Sequence, residues 1–192
     1  MKAVVILGSR NPDGQTATAA GALAEGLRSQ GADVAAFYLP QMHIESCRQC
    51  DSAGWGVCRQ EGRCVIEDDL DGLVDAVAAA DVAAFATPVY FADLSESMKA
   101  FTDRLRRCCV HKAGKAKLAG TRAVGVCVAG GSGGGAPNCC ARLHSVLELC
   151  GLDVVDMIPV RRQNLTLKCR LLTQTGAWLV AHARGEQADP PA

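Results

Sequence analysis

The sequence predicts a three-layer α/β fold, a doubly wound sheet of five parallel strands in the order 2-1-3-4-5 with helices on both faces. Three observations carry this. Strand and helix signals alternate from one end of the 192 residues to the other, which is the pattern of successive β-α-β units. The 49% apolar content contains few aromatics, only 4%, which suits helices packed closely on a buried parallel sheet. The loops richest in polar residues, aromatics and glycine follow strands 1, 3 and 4. Those strands are neighbours in this order, and ligands bind such sheets beyond the carboxyl ends of the strands.

The elements follow in order. Residues 4–7 are strand 1, closed by Gly8. Residues 15–30 are alanine-rich, with Ala19, Leu23 and Leu27 on one stripe, and Gly31 ends that helix. Residues 34–38 are strand 2, stopped by Pro40. Residues 39–66 form a long, ordered, cysteine-rich loop. Asp68 or Asp69 starts a helix with Leu70, Leu73, Val74 and Val77 on one face. Residues 82–86 are strand 3, closed by Thr87-Pro88. Ser95 caps a helix that carries Met98, Phe101 and Leu105 and ends at Arg107. Residues 112–120 read as a basic loop. Strand 4 is 124–129, and the glycine cluster 130–135 follows it. A helix over 138–150 ends at Gly151, strand 5 is 154–160, and a last helix covers 171–183 despite Gly176. Residues 1–184 make one domain, and 185–192, with two prolines, form a flexible tail.

Charge and cysteine usage narrow the function. Lysine plus arginine equals aspartate plus glutamate, 20 each. Such a balance has no general pull on nucleic acid or an anionic membrane. It also lacks the acidic surface of a small shuttle that docks on basic partners. No apolar run approaches the roughly 20 residues that span a bilayer. The first apolar stretch is too short for a secretory signal, so a cytoplasmic location is expected. The 11 cysteines are then not read as a disulfide scaffold. Cys127, Cys150 and Cys169 read as small core residues. The adjacent pairs Cys108-Cys109 and Cys139-Cys140 suit intramolecular disulfides poorly.

Three loops carry the chemistry. The first, over 8–16, joins strand 1 to a helix and reads Gly-Ser-Arg-Asn-Pro-Asp-Gly-Gln-Thr. A helix N-terminus offers unpaired N–H groups and a positive dipole end, which together bind anions. Ser9, Asn11 and Thr16 add side-chain donors, and Gly14 lets the backbone approach a phosphate. The loop has no Gly-Lys-Ser/Thr for a nucleoside triphosphate, and too few glycines for a dinucleotide fingerprint. It also lacks the paired acids of a phosphorelay receiver and a nucleophilic cysteine. The second loop, Thr-Pro-Val-Tyr-Phe-Ala-Asp-Leu-Ser over 87–95, places two of only eight aromatics (four Phe, two Trp, two Tyr) side by side after a buried strand. There they can border a flat heteroaromatic ring. The third loop holds five glycines within 130–135, an entropic cost that close approach of backbone to a ligand would justify.

In combination these motifs resemble the NADPH-dependent FMN reductase family of flavodoxin-like proteins. The resemblance rests on Gly-Ser-x-Asn…Gly-x-Thr (8–16), Cys-x-x-Cys…Gly-x-Cys-Val-Ile-x-Asp-Asp (47–69), Thr-Pro-Val-Tyr-Phe (87–91), Met-Lys-x-Phe-x-Asp-Arg (98–104) and the glycine loop. It covers roughly residues 1–160. It implies an FMN cofactor, with Ser9, Arg10, Asn11, Gly14, Gln15 and Thr16 at the phosphate. Pro88, Val89, Tyr90 and Phe91, with Gly131, Ser132, Gly133, Gly134 and Gly135, would border the isoalloxazine. It also implies a homodimer or homotetramer with the flavin near a subunit interface. Pro12-Asp13 lengthens the phosphate loop relative to the family pattern.

The 47–69 stretch resembles the iron–sulfur flavoproteins and their clusterless relatives. Cys47, Cys50, Cys58 and Cys64 have the donor chemistry for a [4Fe–4S] cluster or a zinc ion. The third cysteine stands further from the second than in those proteins, with residues 51–57 between. The other reading is a structural loop of buried or redox-sensitive thiols, with Arg48 and Arg59 close by to favour thiolates. His43, His111, His144 and His182 show no ligand spacing. The basic run 104–117 reads as a solvated face, with attraction of NADPH phosphates as the alternative.

The function expected is an NAD(P)H-dependent FMN oxidoreductase that passes electrons from a nicotinamide to a small-molecule or protein acceptor. The chemistry belongs to the flavin, so no catalytic side chain is required. The rivals are an electron-transfer iron–sulfur flavoprotein and a scaffold that has lost its flavin.

Overall fold

The computed structural model describes residues 1–183; the expected tail lies outside the described residues. Five parallel strands run in the order β2-β1-β3-β4-β5. They are β1 (Lys2–Leu7), β2 (Asp33–Tyr38), β3 (Val82–Pro88), β4 (Arg122–Ala129) and β5 (Asp153–Arg161). The predicted strand order and helical crossovers are therefore present. The central strands end together: Leu7 pairs with Ala86, and Pro88 pairs with Val128. The loops that follow β1, β3 and β4 thus leave one edge of the sheet side by side.

Side chains alternate across a strand, and the two faces of β3 show what that does. Val82, Ala84 and Ala86 pack with α1 (Gln15–Ser29) and α7 (Leu165–Ala183). Ala83 and Phe85 face α3 (Leu70–Ala78), α4 (Glu96–Cys109) and α6 (Ala136–Leu149). Phe85 and Phe101 stack at 6.4 Å between the sheet and α4. Gly176, unwelcome in a helix by propensity, has a packing reason. A Cβ there would lie 2.3 Å from the Leu23 carbonyl oxygen, and one on Gly26 would lie 2.0 Å from that of Thr173. The two glycines let α1 and α7 touch backbone to backbone. Among the described residues no helix is long and apolar enough to cross a membrane.

Ser95 caps α4 as expected, its hydroxyl accepting from Met98 N–H at 3.4 Å. The same Oγ donates to the Gly8 carbonyl at 2.7 Å. A Cβ on Gly8 would lie 2.6 Å from it. One serine therefore ties the end of β1 to the start of α4.

Five expectations need correction. Residues 112–120 are not a loop, because Lys112–Leu118 forms the short helix α5. Gly114 there packs against the Cys108 carbonyl, where a Cβ would clash at 1.9 Å. The long loop contains the short helix α2 (Val57–Glu61) and a 3-10 turn at Leu39–Gln41. Helix α6 starts at Ala136, with a proline in its first turn. Helix α7 starts at Leu165, which packs partly buried against the core ahead of Leu172, while Leu167 between them is 66% exposed. Cys127 and Cys150 lie in the core, whereas Cys169 is only half-buried.

Candidate functional site

The loops after β1, β3 and β4 enclose a cleft of about 680 Å³, within the range of small-molecule sites. Ser9, Asn11, Gly14, Gln15 and Thr16 line it from the first loop, Pro88, Val89, Tyr90 and Phe91 from the second, and Gly131, Ser132 and Gly134 from the third. Two sequence candidates fall elsewhere. Arg10 points outward, 3.9 Å from Glu96 and 77% exposed. Gly133 turns toward the end of β5 and the turn after it, where a Cβ would lie 3.0 Å from the Arg161 Cδ and 2.9 Å from the Gln163 Oε1. The cleft also takes in Ala92, Val128, Ala129 and Gly130. Their signal in the sequence was position alone, at or beside a strand's carboxyl end.

At one end of the cleft α1 begins without the usual neutralising groups. Its N-cap is Gly14, in extended conformation, with no side-chain cap and no acid in the first turn. The first-turn N–H groups have no partner inside the helix; the ladder opens with Thr18 N–H to the Gly14 carbonyl at 2.9 Å. Asn11 shapes the approach, its Oδ1 accepting from Asp13 N–H at 3.0 Å and its carbonyl from Gly14 N–H at 3.2 Å. The inserted Pro12-Asp13 is thus folded into a side-chain-closed turn. Ser9 and Thr16, 8% and 4% exposed, put two hydroxyl-bearing residues at the base. An uncapped helix start beside buried hydroxyls, with no acid in its first turn, has the local chemistry that attracts an anion.

The walls are held by backbone. Tyr90 and Asp93 exchange N–H to carbonyl bonds at 2.9 and 3.0 Å, which leaves Phe91 and Ala92 at the tip with φ of 50° and 66°. Phe91 is fully exposed there, and Tyr90 is 43% exposed. Opposite them, Gly135 adopts φ 83°, and a Cβ on it would lie 2.8 Å from the Ala92 Cα. Only glycine lets these two loops meet.

The cysteine-rich loop builds a second, separate site. Cys47, Cys50, Cys58 and Cys64 all line one small cavity, joined by Cys108 from α4. Three arginines, Arg48, Arg104 and Arg107, line it too, and no carboxylate does. Arg59 sits instead near the Trp55 ring, its guanidinium carbon 5.9 Å from the centroid, while Arg107 approaches the same ring at 4.6 Å. The side chains close on about 20 Å³, room for about one water. An iron–sulfide core therefore enters only if the residues that line the cavity move apart. Among the described residues no three His, Cys, Asp or Glu side chains converge on a point that one metal ion could occupy. That counts against the zinc reading, not against a cluster that spreads its thiolates over separate irons.

The basic run is not a solvated face at its start. Arg104 is 1% exposed and forms a buried ion pair with Asp68, whose side chain is 0% exposed. Burial opposes both charges, yet the pair holds the guanidinium above and the carboxyl below its ordinary range. The histidines stand apart from both sites: His111 lies edge-on to Trp55 at 4.9 Å, and His182 stacks on Trp178 at 4.1 Å.

The strand order, with a ligand-sized cleft at its topological switch point, defines a flavodoxin-like protein. Residues 1–167 match the family model of NADPH-dependent FMN reductase, and the chain belongs to that family. It is 34% identical over 105 residues to an iron-sulfur flavoprotein of Archaeoglobus fulgidus, covering 55% of this chain and 46% of that protein. It is 29% identical over 131 residues to an iron-sulfur flavoprotein of Methanocaldococcus jannaschii, covering 68% and 65%. The match thus spans about half to two thirds of those relatives' lengths. An NAD(P)H:quinone oxidoreductase from Methanothermobacter marburgensis shares the fold, with a TM-score of 0.72 over 93% of this chain and 96% of that one, at 18% identity.

Proposed function

We propose that the chain is an NAD(P)H-dependent FMN oxidoreductase, working in the cytoplasm as a homodimer or homotetramer of one-domain subunits. The observation that carries this is the uncapped, acid-free start of α1 facing a cleft walled by an aromatic loop and a glycine loop. Ser9, Asn11, Gln15, Thr16 and the first-turn amides would hold the FMN phosphate. Tyr90, Phe91 and the glycines of 131–134 would border the ring. Bound FMN supplies hydride acceptance from a nicotinamide and delivery of the electrons to a second acceptor. The chain's part is positioning. Gly130 and Gly131 have open space where a Cβ would stand, so their backbone can lie close against a planar ring. Backbone N–H groups of that loop would stabilise negative charge on the ring's polar edge. The wide mouth leaves room for a nicotinamide or a small acceptor. The test is anaerobic mixing of FMN-loaded protein with NADPH and with NADH. Bleaching of the flavin band by either supports the reading, and an unreduced flavin with both refutes it.

A second reading, an electron-transferring iron–sulfur flavoprotein with a protein partner, is favoured by one further observation. Four cysteine thiols share a cavity whose charged lining is wholly cationic, which matches an anionic thiolate-ligated cluster in donor type and charge. Cys47, Cys50, Cys58 and Cys64 would be the ligands. Iron and acid-labile sulfide counted per chain after anaerobic reconstitution test it: about four of each fits a [4Fe–4S] cluster, and none excludes it.

A further inference from the structure

Arg104 makes fewer bonds than a buried guanidinium can. Its Nη1 donates to the Glu45 carbonyl at 3.1 Å and to Asp68, and its Nη2 donates to Asp68 Oδ1 at 3.0 Å. Its Nε–H is buried and has no partner. Such a donor is costly to leave unmet. The side chain is also held on two rigid elements. Arg104 belongs to α4, and Asp68 is fixed at the start of α3, where its Oδ1 accepts from Leu70 N–H at 3.2 Å. Asp68 and the Glu45 carbonyl take three of the guanidinium's N–H groups, and Nε–H is left without a partner on a side chain that lines the cysteine cavity. No carboxylate lines that cavity, and the side-chain acceptors on it are cysteine sulfurs. Cys64, anchored through its own N–H to Asp71 at 3.4 Å, stands on the same wall.

We propose that Arg104 is a positioning residue for the cysteine site: its Nε–H, unpartnered in this structure, would donate to the sulfur of Cys64 once the site is loaded and bias it toward its more negative redox state. This rests on the iron–sulfur reading above. When one electron enters a thiolate-ligated cluster, the cluster gains one negative charge and no bond need form or break. A fixed, charge-assisted N–H···S bond stabilises that added charge and raises the reduction potential. Asp68 keeps the guanidinium in place and offsets its charge, so the effect on Cys64 comes from a directed donor and not from a loose cation.

The test uses the full chain reconstituted anaerobically with iron and sulfide, as wild type, as Arg104→Lys, and as the uncharged double variant Arg104→Gln/Asp68→Asn. Iron per chain is counted first, and the cluster potential is then followed by electron paramagnetic resonance. The expected result is unchanged iron with a potential lowered by about 59 mV in each variant, a tenfold change in a one-electron equilibrium. Iron-loaded variants with the wild-type potential overturn the inference and leave the cluster reading standing. Wild type without iron overturns both. A second measurement does not need those variants to fold. Isotope-labelled arginine in Arg48→Lys/Arg107→Lys protein leaves Arg104 as the one guanidinium on the cavity. A nitrogen coupling to the reduced cluster is expected there, and its absence overturns the inference.

Discussion

Replacing Gln15 by glutamate puts a carboxylate in the first turn of α1, where no acid and no side-chain cap stand now. The substitution separates two roles of that helix end. In the empty protein the new charge complements the dipole and contributes about 0.3–1 kcal/mol, raising the melting temperature by about 1–4 °C at this chain length. In the flavin-bound protein the same carboxylate stands beside a phosphate. Two unit charges 4 Å apart repel by about 1 kcal/mol in water and about 4 kcal/mol at an effective dielectric of 20. The cleft is open on one side, so a penalty of about 1.4–2.8 kcal/mol is expected, a ten- to hundredfold rise in the Kd for FMN. Gln15→Lys should reverse both signs. Fluorescence-quenching titration with FMN reads the first quantity, and circular-dichroism melting of the apo-protein reads the second. A Gln15→Glu protein that melts higher and still binds FMN as tightly as wild type would refute the phosphate cradle.

Other predictions follow from packing and the buried pair. Asp68→Ala leaves Arg104 buried without its anion and should cost about 3–5 kcal/mol in urea denaturation. Burial works against the Asp68 charge, but Arg104 and the backbone N–H groups of Glu45 and Leu70 outweigh it, so the folded pKa lies below the ordinary one. The stability this gives is fully present above the unfolded carboxyl pKa of about 3.9 and is lost as pH falls through the lower folded value. Asp68→Asn should therefore flatten the loss of urea midpoint that wild type shows below about pH 4. Gly176→Ala should lower stability by about 1–3 kcal/mol through overpacking against the Leu23 carbonyl, although alanine is the better helix former. A melting temperature at or above wild type would show that α1 and α7 can move apart at no cost.

The parts legible in the sequence were those with a local cause. The parallel, doubly wound sheet followed from alternation, the Ser95 cap from its residue type, and most of the cleft from three loops at adjacent strand ends. Other features depended on partners distant in sequence. Arg104 looked like one member of a solvated basic run because Asp68 lies 36 positions away. Residues 112–118 carry a glycine and a single buried leucine, too little periodicity to announce α5, and that glycine is buried against the Cys108 carbonyl. The start of α7 is only partly buried: Leu165 packs on the core, but Leu167 beside it is exposed, so the stripe that continues from Leu172 is blurred there. The Pro137 that marks the start of α6 was a local signal passed over. Gly133 and Arg10 belong to the right loops, but loop residues alternate between facing the cleft and facing away, and residue type does not say which.

The account stands on the proposition that the start of α1 receives the phosphate of a flavin mononucleotide. Titrating the apo-protein with FMN and, in parallel, with riboflavin isolates that contact, since the two ligands differ only by the phosphate. One FMN per chain with quenched fluorescence and a raised melting temperature is predicted, with riboflavin at least about tenfold weaker because it forgoes charge-assisted hydrogen bonds of about 1.5–3 kcal/mol each. Equal affinity for the two, or no binding of FMN, would contradict it.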